Sequence, residues 1–387
     1  MEFSNRLKSL PSQFFATLVK KVGAAVLEGR DVINLGQGNP DQPTPSHIIQ
    51  ALQQAAANPQ NHKYSPFRGT GDFKQAAANF YKREYNVDID PETEVAILFG
   101  TKIGLVELPL ALMNDHDLML LPDPGYPDYL SGVGLANVEF NTMPLLEKNN
   151  FLPDYSSLTD EQKQKAKLMY LNYPNNPTGA VANLNFFQDT VTLAKQADIA
   201  IVHDFAYGGI GFDGAKPVSF LQADGAKDVG VEMYTLSKTY NMAGWRVGFA
   251  VGNAKIIEAI NLIQDHLFVS IFPAVQEAAT VALNDSQACV EELVDLYESR
   301  RNILIESCNS IGWKVSAPKG SFFAWLPVPD NFSSVAFADF LLEKADVAVA
   351  AGNGFGSYGE GYVRLGLLVD EERLKEAIMR IGKLNLF

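Results

Sequence analysis

Between residues 95 and 251 the chain alternates short, mostly apolar runs with amphipathic stretches. The runs 95–99, 118–121, 167–173, 199–203, 232–236 and 247–251 have strand length and are bounded by Gly, Pro or polar residues. That pattern predicts strands buried on both faces. Apolar residues recur at helical spacing across 185–196 and 256–265. Strands alternating with helices predict an α/β architecture around a mostly parallel sheet. Past about residue 285 the texture changes. Residues 288–311 predict one long helix, 313–316, 322–326, 347–350 and 362–367 predict strands, and 371–384 predict a closing helix. This reads as a smaller α+β domain, with the opening segment packed against it through the Pro-rich stretch 39–45. The predicted division is a large domain over 45–285 and a small domain made of 1–44 and 286–387.

Composition narrows the function classes. The chain has 387 residues, enough for two domains, and a formal net charge of −14. Such a surface disfavours binding to nucleic acid or to an anionic membrane, although local arginines can still hold a small anion. No apolar run reaches membrane-spanning length, and residues 1–12 lack the apolar core and cleavage pattern of a signal peptide. A cytoplasmic location is the expectation. The two cysteines, Cys289 and Cys308, show neither metal-ligand spacing nor a disulfide framework, so reduced structural thiols and no metal are expected.

The chemistry sits where the predicted strands end, which is where open α/β sheets bind ligands. The run 95–99 leads into Gly100-Thr101-Lys102 at a predicted helix start, and free N–H groups at a helix N-terminus suit a phosphate. The run 167–173 leads into Pro174-Asn175-Asn176-Pro177-Thr178-Gly179, a turn whose Asn side chains can also bond a ligand oxygen. The run 199–203 delivers Asp204, with Tyr207 three residues on; a carboxylate on an apolar strand is costly without a cationic partner. The run 232–236 delivers Ser237-Lys238, and a lysine there is costly unless its charge is removed, as in a Schiff base. Arg246 follows in Gly244-Trp245-Arg246-Val247-Gly248 and suits a phosphate. Arg364, inside the predicted strand 362–367, asks for a carboxylate. Each feature alone is open to a bland reading as turn, cap or ion pair; their conjunction is much harder to explain that way.

From about residue 30 to the C-terminus this order of motifs resembles the class I/II aminotransferases, the aspartate-aminotransferase-like branch of fold type I pyridoxal 5′-phosphate (PLP) enzymes. The resemblance implies a seven-stranded, mostly parallel sheet with a smaller α+β domain. It also implies ping-pong transfer of an amino group from an L-α-amino acid to a 2-oxo acid. By position it makes Lys238 the covalent anchor and proton carrier, and Asp204 the partner of the ring nitrogen. Asn176 and Tyr207 become hydrogen-bonding partners of the ring oxygen, and Tyr126 the residue stacked on the ring. Gly100, Thr101, Lys102 (chiefly through its backbone N–H), Thr235, Ser237 and Arg246 form the phosphate cradle. Arg364, with Asn176 and the backbone of Gly38, holds the substrate carboxylate. Tyr64 would reach the phosphate of a neighbouring subunit, which implies a homodimer with shared active sites. Thr235 stands where many relatives have Ser, and it keeps the hydroxyl.

The segments 33–43, 122–129 and 203–207 resemble more narrowly the bacillar methionine-salvage aminotransferases, which act on 4-methylthio-2-oxobutanoate. Gln37, Phe15 and Tyr129 would suit an uncharged or thioether side chain. No residue clearly serves a second, side-chain carboxylate, although a partner-subunit Arg such as Arg68 could reach one. Rival readings are an aspartate, aromatic or diaminopimelate aminotransferase, or a PLP-dependent C–S lyase. A PLP-binding regulator would need a DNA-binding module, for which the chain has neither spare length nor a basic region.

Overall fold

The computed structural model of the chain describes residues 2–267 and 270–387. Among the described residues, twelve strands run in the order β1 (Ile33–Asn34), β2 (Val95–Leu98), β3 (Leu118–Asp123), β4 (Glu139–Pro144), β5 (Ala166–Leu171), β6 (Ala200–Asp204), β7 (Gly230–Thr235), β8 (Gly248–Gly252), β9 (Phe323–Pro327), β10 (Val347–Ala348), β11 (Ala350–Ala351) and β12 (Tyr362–Gly366). Seven form one sheet in the order β2-β8-β7-β6-β5-β3-β4. Only β8 in that sheet runs against its neighbours.

Alternate residues of these strands feed two separate apolar cores. Ile97, Leu120, Met169 and Ile201 face one helical layer, and Leu98, Met119, Tyr170 and Val202 face the other. Covering both faces explains why the strands read as continuous apolar runs rather than as alternating ones. A third core gathers around β9 and β12 with the long helix Ala288–Ser310 and the closing helix Glu371–Gly382. There β12 lies between β9 and β11, all antiparallel, while β1 pairs in parallel with β10.

Three details depart from the sequence expectation. The edge strand β4 has no counterpart among the predicted runs, because Glu139 and Phe140 are exposed and its pattern is mixed. Residues 313–316 form no strand. Trp313 is instead a single anchor, stacked on Phe387 at 4.7 Å and donating its indole N–H to the Pro327 carbonyl at 2.8 Å. The predicted strand 347–350 is two: β10 pairs with β1, and after Val349 the chain joins β12 as β11. That switch brings the N-terminal segment, through Leu35 and Gly36, against the strand that carries Arg364.

Candidate active site

The carboxyl ends of β2, β3, β5, β6 and β7 open on a cavity of about 410 Å³, closed on its far side by β12 and the 38–39 segment. Every residue predicted for the cofactor and for the α-carboxylate, except Gly100 and Tyr64, lines it. A larger cavity of about 670 Å³ lies behind Phe14 and Phe355; it is mostly apolar, and its cation Lys21 is paired with Asp339.

Asp204 is the last residue of β6 and is buried. Its Oδ2 accepts from the Tyr129 hydroxyl at 2.8 Å, while Oδ1 has no partner among the described residues. Burial pushes its pKa up, against the opposing pull of the Tyr129 hydroxyl hydrogen bond. Tyr129 was expected at the substrate side chain. The structure corrects that: Tyr129 is buried beneath Asp204, between the rings of Tyr126 and Tyr170.

Lys238 lies on the one-turn helix Leu236–Thr239 that follows β7, and its Nζ donates to the Gly38 carbonyl at 3.0 Å. Burial, then the positive charges of Arg364 and Arg246, push its amine pKa down to about 8. A lysine so placed is largely neutral, hence nucleophilic and basic, at mildly alkaline pH.

Around the turn after β2, Gly100 has φ +77° and sits against the Arg246 guanidinium; a Cβ there would lie 2.4 Å from Nη2. Arg246 itself has a left-handed backbone, φ 56°, and is steadied by a bond from Nη1 to the Ala243 carbonyl. Thr101, first residue of the helix Thr101–Leu112, opens its N-terminus to the cavity beside Thr235 and Ser237, whose hydroxyls bond each other at 2.9 Å. Several donors therefore converge on one small volume, as an anion requires. The Lys102 ammonium turns away to Asp128 at 2.8 Å.

Arg364 is buried in the middle of β12 and meets no carboxylate among the described residues. It donates from Nη1 to Asn176 Oδ1 at 2.8 Å and from Nη2 to the Gly36 carbonyl at 3.0 Å, and among the described residues its Nε has no partner. Phe323, Phe355 and Phe15 surround the guanidinium at 3.9, 4.7 and 5.1 Å. Burial pushes its pKa down, and a bound carboxylate would relieve that cost. Asn176 is held in turn by Asn172, whose Oδ1 accepts from the Asn176 N–H and whose amide donates to the Asp204 carbonyl. Asn172, one residue past the end of β5, was not among the predicted site residues, although an Asn closing an apolar run was its available signal. Tyr207 is buried against Phe322 and Phe323. Phe15 lines the cavity, Gln37 does not, and Tyr64 stands 92% exposed away from it.

A cavity at strand ends with an unpartnered carboxylate, a lysine of lowered pKa, an anion cradle and a buried arginine matches a known constellation. Residues 30–381 match the family described as aminotransferase class I and II. The chain belongs to that family. It is 67% identical over 386 residues to the L-glutamine–4-(methylsulfanyl)-2-oxobutanoate aminotransferase of Bacillus subtilis, covering 100% of this chain and 97% of the relative. It is 46% identical to the LL-diaminopimelate aminotransferase of Moorella thermoacetica, over 99% of this chain and 98% of that one. The solved substrate-bound BacF of B. subtilis superposes with a TM-score of 0.95 at 49% identity, covering 100% of this chain and 98% of that one. This aminotransferase is a PLP enzyme.

The residues fit that cofactor. Asp204 Oδ1 offers a buried acceptor where a protonated ring nitrogen would restore its anion. The Gly100–Arg246 contact leaves no room for a side chain in the cradle, and Lys238 reaches the same cavity.

Two outcomes test this site. Gly100→Ala forces Arg246 away and strains a positive φ, so equilibrium titration of the apoprotein with PLP is expected to show affinity lower by roughly tenfold or more; unchanged affinity would remove Arg246 from the cradle. Competitive acylation of the apoprotein across pH is expected to show Lys238 reacting with a midpoint at about 8, protonated and unreactive below it and free above. A midpoint with the ordinary surface lysines would refute the burial argument.

Proposed function

We propose that this aminotransferase moves an amino group between an L-α-amino acid with an uncharged side chain and 4-(methylsulfanyl)-2-oxobutanoate, with methionine as the product. The observation that carries the reading is the fate of Arg68. It was the candidate for a second substrate carboxylate, yet its guanidinium is held by Glu258 at 2.7 Å and Asp265 at 2.8 Å within the same chain. Of the cations lining the cavity, Lys102 is paired, Lys238 and Arg246 have cofactor roles in this reading, and Arg364 alone remains, framed by phenylalanines. One carboxylate and an apolar or thioether side chain is the substrate such a site receives. The 67% identity to the relative named for this reaction supports it.

Each residue then has one task. Lys238 would hold PLP covalently, Thr101, Ser237, Thr235 and Arg246 its phosphate, Asp204 its ring nitrogen, and Asn176 and Tyr207 its ring oxygen, with Tyr126 against its face. When bound, the cofactor supplies a ring that accepts electron density from the substrate Cα. Lys238, once its amine is free, would take the substrate Cα proton on Nζ as general base and deliver it as general acid to the carbon that receives the amino group. Arg364 fixes the carboxylate and so sets which Cα bond faces the ring. Asp204, whose other oxygen accepts from the Tyr129 hydroxyl, would be held anionic by the protonated ring nitrogen. Residues 45–285 would carry the cofactor groups, and 1–44 with 286–387 would supply Gly38 and Arg364. The exposed Tyr64 and Phe67 support a homodimer in which Tyr64 reaches the partner's phosphate site.

Single-turnover absorbance measurements on the holoenzyme test the substrate class. Methionine and glutamine are expected to convert the cofactor to its amine form roughly tenfold or more faster than aspartate. Aspartate as the fastest donor would overturn the reading.

A further inference from the structure

Behind the active site lies a buried pair that the reaction scheme above does not use. His203 and Glu232 face each other in the register of β6 and β7, and both are 0% exposed. His203 Nδ1 is 2.7 Å from Glu232 Oε2. Glu232 further accepts from Tyr81 and Ser219 hydroxyls on Oε1, at 2.7 and 2.6 Å, and from the Phe220 N–H on Oε2 at 2.7 Å. The ring lies among Phe187, Phe205 and Phe220. An ionisable pair in an aromatic layer is a poor way to gain stability, since apolar residues of similar size would do as well.

What the pair does hold is the turn after β5. The β5–β6 ladder ends at the pair Leu171–His203. Two residues later the Tyr173 N–H, past the last ladder partner, donates to His203 Nε2 at 3.1 Å. A backbone N–H can only donate, so Nε2 must be the acceptor, and the ring proton sits on Nδ1 facing Glu232. Glu232 therefore selects the tautomer that can catch Tyr173. Three residues on, Asn176 takes the Arg364 guanidinium, and Asn172 ties the same turn to the Asp204 carbonyl.

We propose that His203, with its tautomer set by Glu232, is a positioning residue that fixes the 172–176 turn and, through Asn176, the aim of Arg364 at the substrate carboxylate. The inference rests on the reading of Arg364 as the carboxylate clamp.

Steady-state kinetics and hydrogen–deuterium exchange on the holoenzyme test it, with Arg364→Lys as the reference variant. His203→Phe suits the aromatic surroundings but removes the acceptor. It is expected to raise KM for the amino donor by roughly tenfold, the effect of one lost buried hydrogen bond, with a smaller change in kcat, and to speed exchange in the 172–177 segment. Glu232→Gln is expected to stay within about threefold of wild type in KM, because the Tyr81 and Ser219 hydroxyls can turn to accept from the new amide and leave the His203 tautomer unchanged. Wild-type KM and exchange in His203→Phe overturn the proposal, as does a KM loss in Glu232→Gln equal to that in His203→Phe. If Arg364→Lys raises KM and His203→Phe does not, the clamp stands and only the positioning role falls. If Arg364→Lys leaves KM unchanged, the clamp reading falls and takes the proposal with it. Where His203→Phe does not yield folded holoenzyme, Glu232→Leu decides by the same two readouts. Failure of both to fold assigns the pair to stability alone and overturns the proposal.

Discussion

A carboxylate held at the end of an apolar strand with one oxygen unpartnered is the constraint on which the rest of the site depends. Asp204 has no solvent to offset its burial, and Tyr129 satisfies only one of its oxygens. The cavity is therefore poised for a cation at one fixed point. Lys238 shows the opposite strategy: burial and two neighbouring cations weaken its hold on a proton, so that a strong surface base becomes a usable nucleophile. The two effects need a low dielectric, which the two apolar cores flanking the sheet provide.

The fold makes this possible by bringing distant segments to one edge. The groups proposed to hold the cofactor come from successive strand ends of the seven-stranded sheet, whereas Arg364 comes from β12, nearly at the C-terminus. The path 347–351, which pairs first with β1 and then with β12, joins the N-terminal segment to that strand. Gly36 and Gly38 thus become hydrogen-bonding partners of Arg364 and Lys238. Asn176 meets Arg364 from the opposite side, so both halves of the site are referenced to a single guanidinium.

Most of this was legible because the residues that carry it violate their surroundings. A Lys, an Asp or an Arg attached to an apolar run stands out, and the central strands, covered on both faces, announce themselves as such runs. What escaped was what pattern cannot encode. The strand β4 is an edge with a mixed, half-exposed sequence, and Trp313 looks like a strand residue although it acts as a lone anchor. Tyr129 and Arg68 were placed by residue type near the substrate. Their partners, Asp204 for the first and Glu258 with Asp265 for the second, lie between 75 and 197 residues away in the chain. His203 was hidden for the same reason: its two partners lie on the neighbouring strand and in the turn after β5, so no local spacing announces it.

The central claim is that one lysine, its amine pKa lowered by burial near Asp204, carries the cofactor. Borohydride reduction of the holoenzyme followed by peptide mapping tests it most directly, because reduction fixes the cofactor wherever it is covalently attached. A single pyridoxyl modification on Lys238 is the result this account predicts. Modification at another lysine, or none at Lys238 in enzyme that was active before reduction, would contradict it.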